Sequence, residues 1–262
     1  MTSAAWWMRD SWEMVRRNLF HIRRTPELLL DVTLSPIMFV LLFSIVFGGS
    51  INVGAEGGQG ASYTNFLMAG IFVQTVAFAG IYTGVLLAND LQKGMIDRFR
   101  SLPMAQSSVL TGRTLTDVLR AALAVAIMWI VGLAVGFRPE GGLAANALAI
   151  GIMLLFGFAL SWVGVAAGAA VRTPEALQGI MFAVVFPLTF VSSAFVLTSS
   201  LPEWLQPFAE NQPMTVVVNA VRDLTLGLNV GTYTVPAILW CVGILLVAFP
   251  LGLWLYNRRT TQ

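Results

Sequence analysis

Six stretches of the chain, each roughly 18 to 28 residues long, contain no aspartate, glutamate, lysine or arginine in their interiors. A helix needs about 20 apolar residues to cross the hydrocarbon core of a bilayer. The pattern predicts an all-α, polytopic membrane protein with six transmembrane helices, over 32–49, 63–88, 121–137, 143–171, 176–198 and 233–256. Residues 1–31 precede them as a cytoplasmic interfacial helix, 32–257 form the transmembrane domain, and 258–262 are a cytoplasmic tail.

Within the first segment, Met8, Trp12, Val15, Leu19 and Ile22 recur at steps of four and three, so they share one helix face. Arg9, Glu13, Arg16 and Arg17 lie on other faces. An apolar stripe with tryptophan opposite basic residues suits a helix lying in the headgroup region; a solvated leader is the alternative. Pro26 marks the bend into the first span. The Gly-rich connection 50–62 is a turn.

Composition supports the membrane reading. Hydrophobic residues make up 57% and charged residues 11%, against roughly 25% charged in soluble proteins. Of 15 lysines and arginines, only Arg138 and Arg222 fall on the outer side if the N-terminus is inside. That positive-inside bias places both termini in the cytoplasm. The net charge of +2 is explained by topology and does not call for nucleic acid. The lone Cys241 lies in the last apolar block as a packing residue.

Missing residue types restrict the chemistry. The single lysine, Lys93, stands between Gln92 and Gly94, so no P-loop is available to hydrolyse ATP. The single histidine, His21, leaves a His/Cys metal site or a Ser-His-Asp triad without its parts. No catalytic residue and no metal site is assigned. The predicted span interiors carry no ionisable group, unlike most ion-coupled transporters and pumps. Gln74, midway along the second span, is either an interhelical hydrogen-bonding group or a substrate contact.

The cytoplasmic connection reads N-D-L-Q-K-G-M-I-D-R-F-R-S-L-P-M over 89–104. Met95, Phe99 and Leu102 fall on one side of a short helix ended by Pro103, with Asp97, Arg98 and Arg100 elsewhere. Such a helix offers an apolar knob rimmed with charge, suited to docking a cytosolic partner; a solvated interfacial loop is the alternative. This segment, followed by V-L-T-G-R over 109–113, resembles the type-2 ABC transporter permeases, and among them the daunorubicin/doxorubicin-resistance-type exporters. The resemblance implies that 93–103 is a coupling helix contacting an ATP-binding subunit. Asp90 and Gly94 match the family's acidic residue followed by glycine, with Asp where Glu is commoner. The ATPase-coupling set is thus Asp90, Gly94, Met95, Asp97, Arg98, Phe99, Arg100, Leu102 and Pro103.

The outer segment 201–227 contains Pro202, Pro207 and Pro213 and then Met214, Val217, Val221, Leu224 and Leu228 at helical spacing. It predicts a re-entrant helical hairpin. P-x-W-L-Q and the run ending A-V-R also resemble the same family, which the chain leaves at Gln212. Trp204, Asn211, Asn219, Arg222 and Asp223 form an outer lip, with solvation or capping as the alternative to gating. Gly132/Gly136 and Gly164/Gly168 are spaced for close helix approach, within the chain or between copies.

The resemblance implies a permease subunit of an ATP-driven exporter in the bacterial inner membrane, moving an antibiotic, drug or lipid. Two ATP-binding subunits, holding ATP and Mg2+, and a second permease copy or paralogue complete it. Membrane lipid and a hydrophobic substrate are the remaining partners. Gln74, Phe72, Phe186 and Phe190 form a candidate substrate path, with Phe39, Phe43, Phe78 and Phe182 as further apolar lining. Those phenylalanines are otherwise lipid-facing or core residues. Rival classes are an ion-coupled secondary transporter and an integral membrane lipid enzyme.

Overall fold

The computed structural model describes residues 34, 37–43, 63–93, 106–228 and 231–260. Among these residues all regular structure is helical. Four helices among the described residues are long and apolar enough to cross a membrane. They are α1 (Tyr63–Gln92), α2 (Gln106–Val135), α3 (Gly142–Ala170) and, later in the chain, α7 (Thr234–Thr260). Between α3 and α7 come α4 (Pro174–Phe190), a 3-10 turn (Thr198–Ser200), α5 (Gln206–Asn211) and α6 (Pro213–Leu226). Of the first expected span, the described residues at 37–43 are helical, and Val40 packs into the core. The rest of that span and the expected interfacial helix lie outside the described residues.

Burial ranks the helices. In α1, 83% of the most apolar stretch is buried, against 17% in α7. α1 is therefore the axis of the bundle, and α7 turns Val235, Leu239, Leu246 and Val247 outward. An outward face that apolar requires lipid around it, so the chain is a multi-pass membrane protein.

The α1–α3 contact is built on small residues. A Cβ on Gly84 would fall on the carbonyl of Gly164, and one on Gly168 would fall on the carbonyl of Gly84. Gly80 meets Gly157 in the same way, with a Cβ landing 2.6 Å from its carbonyl oxygen. The Gly164/Gly168 spacing therefore serves packing within the chain. Van der Waals contact drives helix association in lipid, and it grows as backbones approach. Gly132 meets the Met68 side chain, while Gly136 turns the chain at φ +109°. Against α2, α1 uses aromatics instead: Phe72 stacks on Trp129 at 5.2 Å, and both meet Phe137 edge-on.

Two helix ends explain shifts from the predicted spans. α4 starts cleanly, with Thr173 Oγ1 accepting from Ala176 N, Pro174 in the first turn and Glu175 beside it. It ends at Phe190, eight residues before the predicted 198. Pro187 removes a backbone donor near this end, and past Phe190 both the N–H and the Oγ of Ser192 donate to Thr189 O. At the other end of the bundle, the Arg259 guanidinium donates to the carbonyls of Gly168, Ala169, Val171 and Arg172. Those are the orphan acceptors of the α3 C-terminus, where a cation also suits the helix dipole.

Candidate functional site

α1 and α2, which precede and follow the cytoplasmic segment singled out in the sequence, are bound together by buried polar groups. Thr83 Oγ1 donates to Asp117 Oδ2 at 2.6 Å. Arg120 pairs with Asp117 Oδ1 at 3.2 Å and donates to Ala79 O at 3.1 Å. Asp117 and Arg120 are 8% and 6% exposed. Both lie just ahead of the predicted third span, where the sequence analysis assigns no buried ion pair. The third span is predicted to begin at 121, whereas α2 is already helical from Gln106. A carboxylate and a guanidinium three residues apart on one helix face neutralise each other, which lets the helix carry them inward.

At the opposite end, α6 is fastened by Arg222. Its guanidinium donates to Ser193 O at 2.6 Å, Phe66 O at 3.4 Å and Asn219 Oδ1 at 2.8 Å. It also lies 3.7 Å from the centre of the Phe66 ring. Ser193 Oγ donates to the same Asn219 oxygen. α6 begins at Pro213 and stops at Gly227, whose φ of +67° is the left-handed C-cap. Glu140 and Gly141 donate from the α2–α3 connection to Thr225 O. Arg222 thus joins α6, α1 and the turn after α4. It is buried at 3% exposure and belongs to the interior of the lip.

Between these two knots lies a cleft of about 480 Å³, bounded by α1, α3, α4, the α5–α6 hairpin and α7. Ala77, Ile81, Phe156, Leu160, Val185 and Leu188 form its floor and walls. Phe208 and Trp240, both substantially exposed, stand at its edge. Thr189, Asn211 and Gln212 supply its polar side chains.

The predicted site residues are distributed unevenly about this frame. Asn211 lines the cleft, and Trp204 is 79% exposed beside the hairpin. Asn219 and Arg222 make the buried knot, with Asp223 half-buried next to them. The Asp223 carboxyl is pushed up to about 6 by burial, with Arg222 pulling the other way. Gln74 is buried in α1 and does not line the cleft. Phe72 is core between α1 and α2. Phe186 and Phe190 belong to a continuous aromatic ladder: Phe182, Phe186, Phe190, Phe195 and Phe43 follow one another at ring separations of 4.5 to 5.1 Å. Asp90 is half-buried in the last turn of α1. Gly94, Met95, Asp97, Arg98, Phe99, Arg100, Leu102 and Pro103 lie outside the described residues. Thr83, Asp117, Arg120, Ser193 and Gln212 are structural or site residues that sequence reasoning missed. Only the i, i+3 spacing of Asp117 and Arg120 beside an apolar block was a usable signal.

Residues 10–226 match the family model described as ABC-2 type transporter. The chain belongs to the ABC-2 type transporter family. A daunorubicin resistance ABC transporter permease protein of Streptomyces coeruleorubidus is 36% identical to this ABC-2 permease over 94% of its length and 85% of the relative's. A doxorubicin resistance ABC transporter permease protein of Mycobacterium tuberculosis is 28% identical, covering 82% and 75%. An ABC-2 permease is a transport subunit rather than an enzyme, and the family implies an ATP-binding partner subunit. The resemblance read from the cytoplasmic and outer segments is therefore borne out at the level of family.

Proposed function

We propose that this ABC-2 permease is the membrane half of an ATP-driven exporter that moves a hydrophobic or amphipathic molecule, such as an antibiotic, drug or lipid, out of the cell. The family match over most of the chain carries this reading. Relatives named for daunorubicin and doxorubicin resistance support a drug-like substrate, and the apolar cleft offers surface for one.

In this reading the chain has six spans and a leading interfacial helix, with both termini in the cytoplasm. The outer hairpin is α5–α6. Two permease copies, or this chain and a paralogue, form the pathway. Two ATP-binding subunits, which hold the ATP and Mg2+, dock on 93–103 from the cytoplasm. When nucleotide draws those subunits together, the docked segment moves the ends of α1 and α2. The Asp117–Arg120–Thr83 knot makes the two helices move as one, because a shear between them would break the buried hydrogen bonds from Thr83 to Asp117 and from Arg120 to Ala79 O. Asp117 has both carboxylate oxygens engaged, by Arg120 and Thr83, which speaks for a structural role over an ion relay. Coupling of this kind requires two conformations with different affinities for nucleotide and cargo.

The test is to co-express the permease with its ATP-binding partner and introduce Phe99→Ala and Arg100→Glu. An anchor residue at the centre of a docking surface contributes about 2 kcal/mol or more. Each variant is expected to insert normally, to copurify poorly with the ATPase, and to lose ATP-dependent efflux of a lipophilic dye. Unchanged copurification and unchanged efflux in both variants would refute docking at this segment.

A further inference from the structure

The last turn of α7 carries two arginines that face different ways. Arg259 turns inward and caps the carbonyls at the end of α3. Arg258 is exposed, and its guanidinium carbon lies 5.5 Å from the centre of the Trp254 ring, within cation–π range. Val247, Leu251, Trp254 and Arg258 follow one another at steps of four, three and four, so they share one face of the helix. The three apolar members are exposed as well. The stripe thus runs from bare apolar surface through an indole to a cation. From Thr234 to Arg258 the helix rises about 36 Å, a little more than the roughly 30 Å hydrocarbon core. Arg258 therefore stands at the level of lipid phosphates. Trp254 lies about 6 Å below it, at the border where tryptophan concentrates. Contacts of Arg259 with Arg172 O, and of Leu91 with the cluster around Tyr256, bring the ends of α1, α3 and α7 together. Among the described residues, this corner and the start of α4 carry Lys93, Arg172, Arg258 and Arg259 against Asp90 and Glu175, a net positive balance.

We propose that this face of α7 holds an anionic phospholipid, with its phosphate on Arg258 and an acyl chain along Trp254, Leu251 and Val247. Charge and polarity together select the occupant. A zwitterionic lipid matches the stripe but leaves the positive balance of the corner unanswered. A guanidinium binds phosphate oxygens through the N–H groups on its edge. The indole beside it restricts the arginine, so less side-chain freedom is lost when a phosphate arrives. Arg259 ties the end of α7 to α3, so the stripe is presented on a fixed helix pair. Basic sites at the ends of membrane helices select anionic headgroups. That the headgroup belongs to the cytoplasmic leaflet rests on the topology proposed above; that the face binds an anionic lipid does not.

The experiment uses the full permease with its ATP-binding partner, delipidated in mild detergent. It is titrated with dioleoylphosphatidylglycerol or dioleoylphosphatidylcholine, and native mass spectrometry reads the affinity of the first bound lipid. The two lipids share their acyl chains and differ in net headgroup charge. The anionic lipid is expected to bind about fivefold tighter, the effect of about 1 kcal/mol for one arginine beside an anionic headgroup. Arg258→Gln should bring the ratio close to one, and Arg258→Lys should keep most of it. Arg138→Gln, at the other end of the bundle, should leave it unchanged. Trp254→Ala should weaken both lipids. Equal binding of the two lipids to wild type overturns the site, as does a ratio that survives Arg258→Gln or falls equally in Arg138→Gln, or indifference to Trp254→Ala. In native membranes, Leu251→Cys on a Cys241→Ala background should form no disulfide between copies under oxidation; such a disulfide would put protein on this face and overturn the lipid reading. Labelling of Gln262→Cys by an impermeant thiol reagent from outside intact cells retires the topology alone, and absence of lipid discrimination retires the site alone.

Discussion

Replacing Asp117 by asparagine keeps the shape of the α1–α2 knot but removes one of its two charges. Arg120, 6% exposed, would then hold an uncompensated charge among apolar neighbours. The charged atoms lie 3.2 Å apart. At an effective dielectric near 20, Coulomb's law gives about 5 kcal/mol for such a pair. Breaking a buried pair by removing one partner costs about 3–5 kcal/mol in measured cases, so the two routes agree. Removing both charges is a different perturbation. In Asp117→Leu/Arg120→Met no ion is left buried, and Thr83 can donate instead to Ala79 O, the carbonyl four residues earlier that Arg120 vacates. The double variant is expected within about 1 kcal/mol of wild type, since apolar replacement of buried pairs is often neutral or better. Reversible unfolding of the purified permease by SDS titration, followed by helical circular dichroism, measures both. A double variant as unstable as Asp117→Asn, or a single variant within about 0.5 kcal/mol of wild type, would refute the reasoning.

Two further outcomes are expected. Gly84→Val places a side chain on the Gly164 backbone, which cannot shift as a flexible side chain can; the α1–α3 seam must open, at about 1–3 kcal/mol or more, whereas Gly179→Val, inside α4 with open space around it, should be neutral or slightly stabilising in the same SDS titration, since valine is a better helix former than glycine. Asp223 binds its proton more tightly in the folded state, with its carboxyl raised from 3.8 to about 6. Its ionisation therefore opposes folding, and Asp223→Asn should be more stable than wild type above about pH 6, with the advantage shrinking as pH falls and vanishing below about 4; a stability difference that stays constant from pH 4 to 8 would contradict this.

The arrangement of the fold explains why these sites behave differently. Asp117 and Gly84 sit where α1 meets its two largest neighbours, so their loss is felt across the bundle. Asp223 lies on α6, outside the four candidate spanning helices, where water can reach part of it. Gln212 sits between these regimes. It lines the cleft and is tied to the end of α4 by its NH2 group.

The sequence by itself determined the membrane-spanning character, the family and the positions of the helices around 63–92, 142–170 and 234–260. Long runs without charge have few stable alternatives to a lipid-facing helix, because backbone polar groups must be satisfied within the segment. Proline and glycine likewise marked both ends of α6. What only the tertiary structure decided was which polar residues meet. Arg222 reads as a surface arginine until α1 and the turn after α4 bring Phe66 O and Ser193 O to it. Asp117 and Arg120 read as loop charges until α2 is seen to begin fifteen residues before the predicted 121. Gln212 had no readable role, because its partners are carbonyls 21 and 24 residues away that the end of α4 leaves free. Apolar periodicity is local and survives in one dimension. Hydrogen-bond satisfaction is a property of neighbours in space, and the chain sets those neighbours only when it packs.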